Sequence, residues 1–431
     1  MIVRSARASR HSTHLSRVAA ATCLTAVLLA GCTASSEPSD GIASNASTSI
    51  QTERSLGSLR LSPTPNVSPA STWTSITWAA SDPAPFSGPG NQYVFGGVPW
   101  SSGSVLVGEE APLPSGNVEG VVWTSSDNAH WQRIPNTGGT FSGSEIEGVA
   151  TSGSVLVAVG YSRLEDSATT LTPPVGIAWV SSDGTHWQRS PDDTAILGDI
   201  VVHGVAAGPS GFVAYGNGLG GGAALAFSTD GFHWKREGAD ALFADSNVAA
   251  ITWTGRGFAA VGSRNVAQPS GVISQAPGPA AAWWSSDGQE WHQSDAGSTG
   301  YALESVQPWI NSLRAIGIPP CFGCISPPAE WRSTDDGRTW RPLPPPPTPN
   351  FTGSTAVLVG GRAVSLQDQP LQVTWTADGQ IWKVLHVGGS PIPDSAQLVV
   401  AADQTVIAMA NVTVGRSNDQ VDMRVFAGQL H

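Results

Sequence analysis

Short apolar runs recur along this chain, and glycine-containing turns break them at close intervals. Four such runs make one unit, and their alternation predicts strands. The first is a short apolar stretch, as in Ile146 to Ala150, Val201 to Ala206 and Val248 to Trp253. The second follows a turn and tends to end in glycine, as in Val105 to Gly108, Val155 to Gly160, Phe212 to Gly216, Phe258 to Gly262 and Leu313 to Gly317. The third comprises Val121 to Thr124, Ile177 to Val180, Ala224 to Phe227 and Ala281 to Trp284. The fourth begins at a tryptophan, as in Trp131-Gln132-Arg133-Ile134, Trp187-Gln188-Arg189 and Trp234-Lys235-Arg236. No helical period of useful length appears.

Between the third and fourth runs one phrase returns six times. It is Ser/Thr-x-Asp, a tight turn, then Trp. The copies are Ser125, Asp127, Trp131; Ser181, Asp183, Trp187; Ser228, Asp230, Trp234; Ser285, Asp287, Trp291; Ser333, Asp335, Trp340; and Thr376, Asp378, Trp382. Successive closing tryptophans are 56, 47, 57, 49 and 42 residues apart. A period of that size predicts a propeller or a solenoid. Four short strands per unit predict propeller blades.

The first three strands occur seven times, the last as Ala396 to Ala401, Val406 to Ala410 and Met423 to Ala427. Only six fourth strands follow an Asp turn. Ile76-Thr77-Trp78-Ala79 supplies the seventh from the other end of the chain, beside Met423 to Ala427. Both chain ends then share the last blade, which leaves no open edge between first and last. The expected fold is an all-β, seven-bladed propeller of four-stranded antiparallel blades, with six or eight blades as alternatives. Roughly 360 residues exceed what one compact core holds, and a ring of packed sheets avoids that limit.

The phrase resembles the Asp-box, or BNR repeat, of sialidase-like propellers. Ser333-x-Asp335-x-Gly337-x-Thr339-Trp340 matches it in full, and the other five copies are one residue shorter. Asn128 stands where others carry glycine, and Thr376 replaces serine. The resemblance covers essentially the whole repeat region. It implies a structural hairpin joining strands three and four, on the face opposite the active site. Asp accepts backbone N–H groups within the turn, glycine supplies an unusual backbone conformation, and Trp packs the returning strand.

The N-terminus adds a different signal. Arg4, Arg7, Arg10 and Arg17 precede a 13-residue apolar run, Val18 to Ala30. That run is too short to span a bilayer and has the layout of a secretory signal. It ends Leu29-Ala30-Gly31-Cys32, which resembles the lipobox of bacterial lipoproteins. The resemblance implies a signal peptide over 1–31, lipidation at Cys32, and anchorage to the outer leaflet of the cytoplasmic membrane. Residues 32–71 are rich in Ser, Thr, Pro and Ala and read as a disordered tether. The propeller is expected over 72–431.

Charge narrows the partners. Residues 1–31 hold four arginines and no acid, so 17 basic and 33 acidic residues remain, a balance of −16. Lys235 and Lys383 are the only lysines. Nucleic acid is excluded, because phosphate binding needs basic patches. A cationic partner fits the sign, and so does plain solubility of an exported monomer.

Function is expected on the loops joining strands two to three and four to one. Glu109, Glu110, Glu165, Asp166, Asp192, Asp193, Asp240 and Asp245 are the candidate carboxylates there. The sialidase-like resemblance implies three arginines, a tyrosine nucleophile backed by Glu, and an Asp acid/base. The chain departs from that set. It has four tyrosines, and Arg133-Ile134-Pro135 spells the family's arginine motif only after the first Asp turn, on an expected outer strand. No catalytic residue, cofactor or metal is assigned. His130, His186 and His233 repeat before closing tryptophans of different blades, which marks a turn position. The expected role is a non-catalytic module for an envelope protein or polysaccharide. The alternative is a glycoside hydrolase of sialidase-like type with non-standard residues.

Cys23 lies in the signal, which leaves Cys321-Phe322-Gly323-Cys324. Two spare thiols outside the cytoplasm are expected to pair as a small disulfide. Reduction of the native protein should then add two hydrogens to its mass; free thiols in oxidised protein would contradict the pairing.

Overall fold

The computed structural model describes residues 72–431 except 113–117, 163–173, 192–196, 220, 237–239, 266–277, 298–299, 320–327, 344–354, 368–370, 394–395, 403 and 415–419. The signal, the tether, Cys32, Cys321 and Cys324 lie outside the described residues.

Seven sheets form the repeat region. Blade one is β2 (Asn91–Trp100), β3 (Gly103–Ala111), β4 (Glu119–Ser125) and β5 (Trp131–Arg133). Blade two is β6 (Ser144–Ser152), β7 (Val155–Ser162), β8 (Val175–Ser181) and β9 (Gln188–Arg189). Blade three is β10 (Ile200–Gly208), β11 (Gly211–Gly218), β12 (Ala223–Ser228) and β13 (Lys235–Arg236). Blade four is β14 (Ser246–Trp253), β15 (Phe258–Arg264), β16 (Ala280–Ser285) and β17 (Trp291–Gln293). Blade five is β18 (Ala302–Trp309), β19 (Ser312–Ile318), β20 (Ala329–Ser333) and β21 (Arg341–Pro342). Blade six is β22 (Thr355–Val359), β23 (Arg362–Gln367), β24 (Gln372–Thr376) and β25 (Lys383–Val384).

Blade seven combines β27 (Gln397–Ala402), β28 (Thr405–Val414) and β29 (Gln420–Leu430) with β1 (Ser75–Ala80). β1 pairs antiparallel with β29, from Ile76 opposite Leu430 to Ala80 opposite Phe426. The chain ends therefore close the ring as the strand count requires. One strand was not expected. β26 (His386–Gly389) runs parallel to β1 on its outer side, so this blade has five strands.

The innermost strands share a further device. A bulge interrupts β2, β6, β10, β14, β18 and β27 near their start. The extra residue crowds a carbonyl against strand two. A Cβ on Gly160 would sit 1.8 Å from the Glu145 carbonyl oxygen, and one on Gly108 would sit 1.9 Å from that of Tyr93. In blades one and two the glycine that ends the second run therefore makes room for the bulge, whereas in blade seven Ala408 stands opposite it.

The Asp turns are built alike. In blade two, Asp183 Oδ1 accepts the N–H of Thr185 at 2.8 Å and of His186 at 2.7 Å, and Ser181 Oγ accepts the N–H of Gly184. Gly184 has φ +76°, which glycine adopts freely. The Trp187 indole N–H donates to the Gly184 carbonyl. The three turn histidines each place Nδ1 2.6–2.7 Å from the second oxygen of their aspartate. In blade one, the backbone N–H and imidazole of His130 and the N–H of Ala129 hold Asp127 well below the ordinary carboxylate range.

Blades bind through apolar clusters. Among the described residues six clusters occur, and each joins one pair of neighbouring blades. Trp123, Trp179, Trp283 and Trp331, on third strands, are fully buried. Among the described residues blades five and six share no such cluster. Blade five turns Arg314, Glu330 and Arg332 to that boundary, and blade six turns buried Ser365 and Thr374 to it.

Trp187 packs between blades one and two with Val105, Val107 and Trp179. Trp187→Ala should lower stability by about 3–5 kcal/mol, as loss of a buried aromatic does. Chemical denaturation is the check, and an unchanged midpoint would contradict the packing role.

Candidate functional site

One face carries the Asp turns. The opposite, upper face carries the starts of first and third strands and the ends of second and fourth strands. In blade one this edge bears Glu110 at the end of β3 and Glu119 at the start of β4, directly opposite each other. Two carboxylates in cross-strand register repel. Arg133, the last residue of β5, answers both. Its Nη2 lies 2.6 Å from Glu110 Oε2 and 3.6 Å from Glu119 Oε1. Its Nη1 lies 3.5 Å from Gln92 Oε1. The other Glu110 oxygen accepts the Gly90 N–H at 3.1 Å, and Gln92 donates to the Gly90 carbonyl. The cluster thus ties all four strands of blade one to the loop that enters it.

Pro89 and Pro112 complete the lining of a cavity of about 400 Å³ with Glu110, Glu119 and Arg133. The Glu119 side chain is 42% exposed, whereas that of Glu110 is 11% exposed. The open part of the site is therefore Glu119 and the outer edge of Arg133. Such an arrangement offers hydrogen-bond acceptors and donors beside proline rings, with two acids against one base.

A second pattern lies deeper at the same end. Tyr93 of β2 faces Glu109 of β3, and Glu145 of β6 faces Tyr161 of β7. The pair is the same, with its members exchanged between strands. The Tyr161 hydroxyl donates to Glu145 Oε2 at 2.6 Å, and both residues are buried. Burial pushes the Tyr93 phenol up, and the charge of Glu109 adds to it. Tyr93 also stacks on Phe95, centroids 6.3 Å apart.

Of the eight candidate carboxylates four lie among the described residues, and these four fall in two places, blade one and the entry to blade four. Glu109 and Glu110 were expected in a loop from 109 to 119. The structure corrects this: β3 runs on to Ala111, and both residues are buried within it. Continued pairing with β2 and β4 carries the strand past the glycine at 108. Asp240 begins the helical turn Asp240–Phe243, and Asp245 is exposed just before β14, both beside blade four. Glu165, Asp166, Asp192 and Asp193 lie outside the described residues. Glu119, Tyr93, Glu145 and Tyr161 were not among the candidates, and Arg133 entered only as a match to an arginine motif on an expected outer strand. Equal spacing of Glu110 and Glu119 about one hairpin was the available signal, but it is readable only once the register is known.

The described arginines are dispersed. Arg133 serves blade one, Arg264 of blade four donates to Ser246 and lies over Trp283, and Arg314 serves blade five.

The sheet topology defines this protein as a seven-bladed β-propeller. No family model matches the chain, and neither does any curated protein. Among solved structures, a Trypanosoma rangeli sialidase in complex with sialic acid is similar at 13% identity and a TM-score of 0.43, covering 79% of this chain and 54% of the sialidase. YCF48 bound to D1 peptide is similar at 12% identity and a TM-score of 0.45, covering 82% of this chain and 95% of that one. A Pyrococcus horikoshii acylaminoacyl peptidase is similar at 9% identity and a TM-score of 0.47, covering 77% and 50%. At these levels no activity, ligand or partner passes from them to this chain.

Arg133→Ala would leave Glu110 partly buried without its cation. A loss of about 1–3 kcal/mol is expected, read by denaturation, with Arg133→Lys recovering part of it. Equal stability of all three proteins would show that the cluster does not hold blade one together.

Proposed function

We propose that this protein is a non-catalytic binding or scaffold module. It is exported, held on the outer leaflet of the cytoplasmic membrane by lipid at Cys32, and displays its upper face to an envelope protein or polysaccharide. The observation that carries the reading is the blade-one cavity. Its buried acid is already committed to Arg133 and to the Gly90 N–H, so it serves geometry, while Glu119 and the prolines stay open for contact. The lipobox-like Leu29 to Cys32 and the Ser/Thr/Pro-rich stretch after it fit a module lifted off a membrane.

A sialidase-like glycoside hydrolase with non-standard residues is the second reading. The buried Tyr161–Glu145 hydrogen bond favours it, because that family pairs tyrosine with Glu. Against it stand the burial of Tyr161 and the scatter of the described arginines over all seven blades.

Crosslinking in intact envelopes, followed by capture of the full-length protein, tests the proposal. A specific protein or polysaccharide should be recovered, and Glu119→Lys should reduce its yield several-fold. Equal recovery by the variant would remove the cavity from the binding face. Release of sugar from captured polysaccharide, lost in Tyr161→Phe, would move the assignment to the hydrolase.

A further inference from the structure

Six blade boundaries are apolar, and the boundary between blades five and six is cationic. Leu313 and Ala315 pack with blade four, so Arg314 between them turns to blade six. Arg314 Nε donates to Glu330 Oε2 at 2.9 Å, and Arg332 binds the other oxygen of the same carboxylate. Both guanidiniums lie over the Trp309 indole, 4.7 and 4.8 Å from its ring centre. Two cations thus share one anion, and the Arg314 side chain is only 6% exposed. A buried charge is costly unless it is paired. Burial lowers the Arg332 guanidinium from its usual value; Glu330 opposes this and Arg314 adds to it.

The same boundary holds buried polar atoms with no protein hydrogen-bond partner. They are Gln307 Nε2, Trp309 Nε1 and Thr374 Oγ1. Trp309 packs on Trp382 of blade six, centroids 6.2 Å apart. Thr374 alternates with Val373 and Trp375, which face blade seven, so it faces blade five. Glycine lets the blade-six turn approach these groups closely. A Cβ at Gly379 would sit 3.2 Å from Trp309 Nε1 and 4.0 Å from an Arg332 Nη. The Asp378 carboxylate next to it is taken up by its own turn, accepting the N–H groups of Gln380 and Ile381. Two N–H donors, a hydroxyl and one surplus positive charge call for an acceptor that is small and negative.

We propose that the blade-five/blade-six boundary is a binding site for a small oxyanion, a phosphate or carboxylate group. Bound there, the anion pairs the surplus guanidinium charge and accepts from the Trp309 N–H. It also joins the two blades that no apolar cluster among the described residues joins, so occupancy tightens the ring. The site is far from the blade-one cavity in the blade order and is independent of what the upper face binds.

Thermal unfolding of the full-length protein in detergent tests this. Sodium phosphate, sodium acetate and sodium chloride are compared at equal ionic strength. A saturable rise of about 2–4 °C over chloride is expected. A rise with phosphate alone assigns a phosphoryl group, and a rise with acetate alone assigns a carboxylate. Trp309→Phe keeps an aromatic ring but removes the donor, and Arg332→Gln removes the surplus charge. Both should lose the rise. If Arg332→Gln does not fold, Trp309→Phe carries the test. No saturable rise in the wild type, or a full rise retained by the folded variants, overturns the proposal.

Discussion

The fold depends on one antiparallel pairing, that of β1 with β29. A propeller blade has two apolar faces, and each must be covered by a neighbour. Only a closed ring gives every blade two neighbours. In this chain closure is not covalent. It rests on backbone hydrogen bonds between residues at opposite ends of the repeat region, and on Ile76 and Trp78, which are buried in the cluster between blades six and seven. β26 then covers the outer side of β1, so the closing strand is paired on both sides. Everything described at the upper face inherits its position from that closure.

Within the ring, two local devices repeat. The Asp turn folds strand four back and fixes a tryptophan over the sheet, with Asp and Ser side chains taking up N–H groups that the tight turn leaves open. The inner-strand bulge sits at the other end of the blade and is met by glycine on strand two in blades one to five and by Ala408 in blade seven. One device organises the lower face and the other the upper face. Blade six shows what happens when part of the pattern lapses. Thr374 stands where four other blades carry a buried tryptophan, and the boundary with blade five is polar.

The acids of this protein have separate duties. Those of the Asp turns are held ionised on the lower face by backbone donors, with histidines adding to them in blades one to three. Those of blade one are paired with Arg133 or set against tyrosine at the upper face. Net charge alone does not separate these classes. A carboxylate in a turn and a carboxylate in a cavity look alike in composition, and only hydrogen-bond partners distinguish them.

The repeat, the strand count and the closing role of Ile76 to Ala79 were legible in the sequence, because period and alternation are local properties of the chain. The histidines before the closing tryptophans were legible as turn positions for the same reason. The fifth strand of blade seven was not, since His386 to Gly389 is exposed and carries no alternation. Nor was the site. Glu109 and Glu110 read as loop acids because the run ended at glycine, but pairing on both sides extends β3 beyond it. Arg133 meets Glu110, Gln92 and Glu119 only because four strands lie in one register, and Arg314 meets Arg332 across another. Sequence determined the unit and its number, which depend on neighbours along the chain. Tertiary structure decided which charges meet, because that depends on register between strands and on the packing of one blade against the next.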